Sequence, residues 1–336
     1  MAGERLRVGF LTDGHEIGGA EISLGHVLAG LPPEVDATIL ATNREVLELV
    51  HGRRPSAKAV LLPQIASKRD VRGIARHARA IRALAPGVLH FNQNRPWGNP
   101  WDLLAALATP GLKVVTVDQM PRRPEHRRHA WLKRLTGPRI DAQVTLGPTM
   151  GRLLTEISGV PLERIRIIPG GIPDIGAAPE RNNDPPVIGV VGRLESQKAQ
   201  DLLLRALPEV PDVEAVIVGD GELRPELERL AAELGVTDRV TFTGWRDDAR
   251  ELIKTFDLVI NPSYFEAQGT TIMEGMLAGV PVVATDVGGT ADVIADGETG
   301  WLAQPGDAAD LAVRDLHRRD RRVDAAPFAV HPMIVG

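Results

Sequence analysis

The sequence predicts an α/β protein with two doubly wound domains that face each other across a cleft. Short apolar runs alternate with helical patterns from the start of the chain to about residue 310. The runs are continuously apolar, as expected of parallel strands covered on both faces. A length of 336 residues exceeds one ordinary core and suits two. Two Rossmann-like domains in tandem are therefore the simplest architecture.

Composition excludes several classes of protein. The chain has no cysteine, which excludes disulfides, thiolate metal sites and a cysteine nucleophile. No apolar run reaches the roughly 18 residues of a membrane helix, and the first residues lack the apolar core of a signal peptide. We therefore expect a cytoplasmic protein.

Charge is divided unevenly along the chain. Residues 1–175 carry 24 Lys and Arg against 16 Asp and Glu, whereas the whole chain has a net charge of −5. A basic half joined to an acidic half predicts different partners for each. Nucleic acid is not expected among them, because no aromatic platform accompanies the positive charge.

The predicted elements fall into two sets, separated by a polar segment. The first seven strands are expected at 7–12, 36–42, 59–63, 87–93, 113–118, 142–147 and 164–170. Residues 173–186 are rich in Pro, Asn and Asp and are expected to form an interdomain linker. Five further strands are expected at 186–192, 213–219, 240–244, 258–262 and 281–285. The predicted domains are thus 1–172 and 187–310, followed by an atypical tail at 311–336.

One stretch, 261–289, gathers the polar groups of a binding site. Glu266 lies on a loop after a strand, and Glu274 lies on a helix that begins near Gly269 or Thr270. Free N–H groups at a helix start suit a phosphate, and carboxylates suit sugar hydroxyls. The pattern predicts a site for a phosphorylated sugar.

Two other loops add candidate phosphate contacts. Gly18 and Gly19 follow the first strand and open a helix, where the backbone can approach a ligand. An ordinary glycine-rich turn remains the alternative. Arg193 and Lys198 follow a strand that ends at Gly192, and two cations at that spacing can flank a diphosphate. Solvated cations are the alternative there.

Six segments occur in an order that resembles the family-four retaining glycosyltransferases, nucleotide-sugar enzymes of GT-B fold. They are GGAE, GRLESQK, VGDGELR, SYFEAQGTTIME, AGVPVVATDVGG and GETGWL. The resemblance covers roughly residues 5–310 and is densest from 187 to 307. It implies that a sugar passes from a nucleoside diphosphate donor to an acceptor hydroxyl, with retention of configuration and with no metal or other cofactor. The sequence agrees, since it contains no Asp-x-Asp or His cluster.

The resemblance also implies roles for single residues. Arg193 and Lys198 match the pair that contacts the donor diphosphate. Glu274 matches the carboxylate that accepts hydrogen bonds from the ribose, and Glu266 matches the one near the donor sugar.

The remaining matches concern backbone groups. Gly18 and Gly19 match the loop that approaches the phosphates from across the cleft. The backbone from Gly269 through Thr270 to Thr271 supplies N–H donors, and Gly192 belongs to the donor-binding loop.

The sequence departs from the family at several positions. Gln268 stands where the family usually has Phe and can hydrogen-bond a sugar, so donor preference is expected to differ. Ala199 follows Lys198 where Gly is usual. Asp118 stands where many members place a His near the donor sugar. It can accept a hydrogen bond from a donor hydroxyl, or it can cap a loop as a structural carboxylate. His15 and His90 are weaker candidates and are expected to be structural.

The C-terminus departs most. The family continues for several helices, the last crossing back onto the N-terminal domain, and the tail from Leu311 matches none of them. This shortened end and Asp118 keep a second interpretation open, a non-catalytic sugar-nucleotide-binding or accessory subunit. A nicotinamide-dependent oxidoreductase has little support, because GxGxxG is absent.

The acceptor is expected on the basic N-terminal side. Residues 68–82 carry six cations and an apolar stripe of Val71, Ile74, Ala78 and Ile81. Such a helix can lie weakly on an anionic membrane, which keeps a peripheral position at the inner face of the membrane open. A solvated helix packed on its own core is the alternative. Residues 122–139 form a second basic stretch, which suits an acidic acceptor or solvent.

Overall fold

The computed structural model describes residues 5–15, 17–65, 67, 69–93, 100–124 and 126–312. The chain divides into two units, Met1–Pro169 and Gly170–Gly336. Each contains one parallel sheet with helices between successive strands. This confirms the predicted α/β class with two Rossmann-like domains.

The first unit contains a seven-stranded sheet. Its strands are β1 (Arg7–Thr12), β2 (Asp36–Ala41), β3 (Lys58–Leu61), β4 (Gly87–Gln93), β5 (Leu112–Asp118), β6 (Ala142–Thr145) and β7 (Ile165–Ile167). Its helices are α1 (Gly19–Ala29), α2 (Arg44–Gly52), α3 (Val71–Arg82), α4 (Pro100–Leu107), α5 (Arg127–Thr136) and α6 (Pro148–Ser158). All paired strands are parallel, in the order β3-β2-β1-β4-β5-β6-β7.

The second unit contains a six-stranded parallel sheet. Its strands are β8 (Val187–Val191), β9 (Glu214–Val218), β10 (Val240–Gly244), β11 (Leu258–Asn261), β12 (Val282–Thr285) and β13 (Trp301–Ala303). Its helices are α7 (Gln200–Ala206), α8 (Arg224–Glu233), α9 (Ala249–Ile253) and α10 (Thr270–Leu277). The strand order is β10-β9-β8-β11-β12-β13. The edge strand β13 begins in the segment GETGWL and is missing from the strands expected from sequence.

Burial explains why the central strands are continuously apolar. Every residue of β11 and β12 is buried. Two apolar clusters form the core of the second unit, one packed around α7 and the other around α10. Strands covered by helices on both faces leave no position open to water, so alternation of polar and apolar residues is absent.

The segment 173–186 makes hydrogen bonds within the second unit. The Ala178 N–H donates to the Ala278 carbonyl at 2.8 Å, and the Asn183 side chain donates to the Thr255 carbonyl at 2.9 Å. The boundary of the units falls between Pro169 and Gly170. The exact limits expected for the linker and the domains remain predictions.

At the end of the described chain, residues 308–312 are helical, and Leu311 and Ala312 are buried in the apolar cluster around α7. The expected tail beyond them lies outside the described residues. Across the described ranges, no helix has the length and apolar character needed to cross a membrane.

Candidate active site

The strand order of the second unit reverses between β8 and β11. These neighbours are followed by helices on opposite faces of the sheet, so the loops after them diverge and leave a crevice at their carboxyl ends. The loop after β8 carries Arg193 and Lys198, and the loop after β11 carries Glu266. The topology therefore brings two of the sequence-predicted segments to one point.

Lys198 and Glu266 form an ion pair at this point. The Lys198 Nζ lies 2.5 Å from the Glu266 Oε1. The carboxylate is nearly inaccessible, with 5% of the side chain exposed, while 24% of the lysine side chain is exposed. Glu266 also accepts a hydrogen bond from the Ser263 hydroxyl at 2.9 Å and one from the Asn261 amide at 3.4 Å. The buried Glu266 carboxylate thus holds the lysine, while part of the lysine side chain remains accessible to solvent.

Two hydrogen bonds to backbone carbonyls fix the two loops to each other. The Tyr264 N–H donates to the Gln197 carbonyl at 2.8 Å, and the Gln197 side-chain amide donates to the Phe265 carbonyl at 2.9 Å. Because these bonds flank Lys198 and Glu266, the backbones of the two loops already hold the two side chains close to each other.

Ala199 takes the left-handed conformation that ends the lysine turn. Its φ is 48° and its ψ is 42°, a region that favours glycine and costs another residue about 1 kcal/mol. Glycine, which the family resemblance leads one to expect here, adopts this conformation without that cost. The Ala199 methyl is buried in the core, which offsets part of that cost.

The paired glycines after β12 pack against the backbone of the loop that carries Glu266. A Cβ at Gly288 would lie 1.8 Å from the Glu266 carbonyl oxygen, and one at Gly289 would lie 1.8 Å from the Ala267 carbonyl oxygen. The Gly289 N–H also donates to the Glu266 carbonyl at 3.0 Å. The close approach fixes the backbone of the glutamate loop.

The N-terminus of α10 opens beside this loop. Gly269 has φ 73° and, lacking a side chain, cannot cap the first turn, which leaves N–H groups for an anionic ligand. The Thr271 hydroxyl donates to the Val191 carbonyl at 3.2 Å, which ties the helix to the end of β8. Thr270 is exposed. The predicted sugar contact Gln268 is buried, and its Oε1 accepts the Gly170 N–H at 2.8 Å.

Glu274 has a partner that the sequence did not indicate. Its Oε1 accepts a hydrogen bond from the Arg250 Nε at 2.7 Å. The Glu274 side chain is 8% exposed. Burial raises the pKa of the Glu274 carboxyl, and Arg250 offsets part of that rise.

Arg193 lies on the same loop as Lys198 and forms an ion pair with Glu195 at 3.1 Å. The loop is held against the turn after β9, where a Cβ at Gly219 would lie 2.0 Å from the Gly192 carbonyl oxygen. A Cβ at Gly192 itself would lie 3.7 Å from the Lys198 side chain. The close approach therefore requires glycine at 219, whereas a Cβ at 192 would make only an ordinary contact with the lysine stem.

In the first unit, Gly18 and Gly19 form the turn that opens α1. The buried Glu21 explains the last letter of GGAE, because its Oε2 accepts the Gly18 N–H at 3.1 Å. The Thr12 hydroxyl also donates to Glu21, at 3.4 Å. A glutamate three residues into a helix commonly satisfies the N–H before it in this way. The turn is therefore preformed at the carboxyl end of β1.

Asp118 ends β5 and is occupied by an internal ion pair. The Lys133 Nζ, from α5, donates to its Oδ1 at 2.8 Å, and both side chains are buried. This contact fits the structural alternative for Asp118, and its role toward a donor sugar remains a prediction. Lys133 was missed because fifteen residues and a helix start separate it from Asp118 in sequence.

The two histidines named from sequence differ in surroundings. His90 packs beside the Phe10 ring at a centroid distance of 5.2 Å, and burial lowers the pKa of its imidazole to about 4. It is therefore neutral at physiological pH. The His15 carbonyl accepts a hydrogen bond from the Asn43 side chain at 2.7 Å, which fixes the loop before Gly18. Within the described ranges, no group of three His, Cys, Asp or Glu residues can hold a metal ion.

Two protein-family models match most of the chain. The family model described as Glycosyltransferase Family 4 matches residues 17–174, and that described as Glycosyl transferases group 1 matches residues 185–316. Together they include every residue predicted here to bind the donor.

Curated relatives align over part of their length. The lipopolysaccharide core biosynthesis glycosyltransferase LpsE of Rhizobium meliloti is 38% identical over 129 residues, which is 38% of this chain and 38% of the relative. The D-inositol 3-phosphate glycosyltransferase of Nocardia farcinica is 35% identical over 188 residues, 48% of this chain and 41% of the relative. The alignments thus span about two fifths of these relatives.

Solved structures share the fold over nearly the whole chain. Anabaena Alr3699/HepE in complex with UDP has a TM-score of 0.81 at 22% identity and covers 95% of this chain and 92% of its own. The sucrose-phosphate synthase of Thermosynechococcus elongatus has a TM-score of 0.73 at 18% identity and covers 96% of this chain and 92% of its own. At these identities the likeness shows the fold.

Proposed function

Since this chain belongs to the family-four glycosyltransferases of GT-B fold, we propose that it transfers a sugar from a nucleoside diphosphate donor to an acceptor hydroxyl. The observation that carries the proposal is the Lys198–Glu266 ion pair at the sheet's switch point, beside the open N-terminus of α10. Cations and helical N–H groups at such a point suit a diphosphate.

Each group has a proposed task. Lys198 and Arg193 bind the diphosphate and stabilise the negative charge that grows on it as the bond to the sugar breaks. The N–H groups of Thr270 and Thr271 add donors from the start of α10. Glu274 accepts hydrogen bonds from the ribose.

The position of Glu266 suggests two tasks. Its carboxylate holds Lys198 through a charged hydrogen bond, and its location beside the crevice suits a donor-sugar hydroxyl. Gln268 supports the backbone at Gly170 through its Oε1, so its proposed effect on donor preference has to come from its other atoms or from its shape.

Retention of configuration is part of the proposal. The acceptor hydroxyl attacks the sugar on the face that the diphosphate leaves, and the fixed cations replace a metal ion in stabilising the leaving group. We expect full activity in excess EDTA and a product whose anomeric proton coupling matches that of the donor. An inverted product would refute retention, and activity restored only by a divalent ion would refute metal independence.

The donor is identified by binding. The neighbour of similar fold was solved with UDP, which supports UDP-sugars as the first probes. A thermal-shift screen against UDP-, GDP-, ADP- and dTDP-sugars ranks the candidates, because a ligand of the folded state stabilises it by RT ln(1 + [L]/Kd). If none of them shifts the melting temperature, the proposal fails.

Catalysis is tested separately from binding. The purified chain is incubated with the best donor, and release of the nucleoside diphosphate is measured with and without candidate acceptors. Turnover excludes the accessory-subunit alternative. Binding without any donor hydrolysis or transfer would favour that alternative over the enzyme.

We place the acceptor on the basic first unit. On α3, Gly73, His77 and Ile81 face the core and the arginines stay exposed. Val71, at the start of its apolar stripe, is 71% exposed, and Ile81 at the other end is buried. On α5, Trp131 is 66% exposed on a helix with exposed arginines. Such a face suits weak contact with an anionic membrane.

Vesicle sedimentation tests this contact. We expect binding to phosphatidylglycerol vesicles that falls with salt, and little binding to phosphatidylcholine. The same sedimentation with both lipids would refute an electrostatic contact. A peripheral position at the inner, cytoplasmic face is proposed on this basis.

A further inference from the structure

Arg250 lies in the second unit on α9, in the connection between β10 and β11. No spacing rule links it to Glu274, which lies 24 residues further along the chain. Even so, its Nε donates to the Glu274 Oε1 at 2.7 Å. The glutamate side chain is 8% exposed and the arginine side chain 40%. The arginine therefore covers the carboxylate from the solvent side.

Arg250 is the counter-charge of this buried carboxylate. The elements packed most closely against α10 are β11, β12 and α9, and Thr271 also bonds to the end of β8, which carries no titratable residue. The two strands carry no titratable residue, and α9 carries only Arg250 and Glu251. Glu251 is exposed and pairs with Lys254 at 3.0 Å. Among these described elements, Arg250 alone offsets the cost of burying the Glu274 charge.

We infer that Arg250 is a positioning residue that holds Glu274 ionised and in the orientation that receives the hydroxyls of the donor ribose. The inference rests on the proposed function, because it assigns a purpose to the ribose-binding carboxylate. The hydrogen bond occupies one lone pair of Oε1, and Oε2 accepts none from the described residues. A carboxylate held by one oxygen still presents acceptor sites to two neighbouring hydroxyls.

The sign of the pH effect follows from the contacts. Burial raises the pKa of Glu274, and the hydrogen bond and charge of Arg250 lower it. Only the ionised carboxylate accepts on both oxygens, so donor affinity is lost as the pH falls through this pKa. Without Arg250 the pKa rises further, and the loss of affinity moves to higher pH.

The test measures the Kd of UDP by calorimetry from pH 5 to pH 8. We expect Arg250→Gln to weaken UDP binding about tenfold at pH 7. The acid limb of the Kd profile is the pH range in which UDP affinity is lost on acidification. We expect the variant to move this limb to higher pH by about one unit. Arg250→Lys keeps the charge and should return the limb toward that of the wild type. Arg246→Gln is the matched control, because Arg246 lies four residues before Arg250 and its substitution breaks an exposed pair with Asp248.

A merely structural role predicts a different result. In that case both Arg250 variants would lower the melting temperature and weaken UDP equally at every pH, with the limb unmoved. That result would overturn the inference, as would a profile identical to that of the wild type.

A second measurement needs no ligand and separates this inference from the proposed function. Urea unfolding of Arg250→Gln, Glu274→Gln and the double variant gives the coupling between the two side chains. We expect the coupling to change the unfolding equilibrium constant at least fivefold. Additive effects would overturn the inference even if UDP binds the wild type. Coupling without binding of any nucleoside diphosphate would instead refute the proposed function.

Discussion

Replacing Lys198 by alanine tests the proposed diphosphate site most directly. The substitution removes the Nζ, which lies 2.5 Å from the Glu266 Oε1. The Glu266 side chain is 5% exposed. If Lys198 stabilises charge on the leaving diphosphate, turnover should fall about 10²–10³-fold, the usual effect of losing one such group. The assay is release of the nucleoside diphosphate at saturating donor, so that the change is read in kcat.

The same substitution affects stability through Glu266. Breaking a fully buried ion pair costs about 3–5 kcal/mol, but Ser263 and Asn261 remain as donors and the lysine is partly exposed. We therefore expect a loss of about 1–2 kcal/mol in the free energy of unfolding. Adding Glu266→Gln removes the unpaired charge, which should restore most of the stability but not the activity.

A control separates the site from any loss of surface charge. Arg205 pairs with Asp201 at 3.5 Å on the outer face of α7, and Arg205→Gln should change stability by less than about 0.5 kcal/mol and leave turnover unchanged. If Lys198→Ala keeps kcat within threefold of the wild type, the diphosphate role is refuted. If the double variant recovers activity, Lys198 serves only to neutralise Glu266.

Two further predictions concern the fold that supports the site. Gly288→Ala should destabilise the protein by more than about 3 kcal/mol in urea unfolding, because the new Cβ meets the Glu266 carbonyl oxygen at 1.8 Å. Gly235→Ala, at φ 68° with nothing within 4 Å, should cost only about 1 kcal/mol, and equal losses would contradict the steric account. In the first unit, burial lowers the pKa of His77, but Asp102 at 2.9 Å, the Pro63 carbonyl and Asp70 together raise it, and the net shift is upward from 6.5. Protonated His77 should therefore stabilise the fold fully below pH 6.5, and this stability should be lost as the pH rises through the raised pKa. An imidazole titration midpoint above 6.5 by NMR supports this, and a midpoint at or below 6.5 contradicts it.

The sequence alone determined the fold class and the main loops of the site. Apolar runs placed all seven strands of the first unit and five of six in the second, because a doubly covered parallel strand has no polar position. Lys198 and Glu266 were predicted from local order, since each follows a strand and parallel strands end at the same edge. The exception was β13, whose three residues are too few to show a period.

Tertiary structure alone decided the partners of these groups. Arg250 reaches Glu274, Lys133 reaches Asp118 and His77 reaches Asp102 from other helices, across 15 to 25 residues of sequence. A periodicity reports which face of an element is apolar, but it carries no information on which polar groups meet when elements pack. Burial of Glu274 likewise follows from packing of α10 against its neighbours. The sequence therefore specified which residues stand at the sheet edge, and the packed helices decided their charge and orientation.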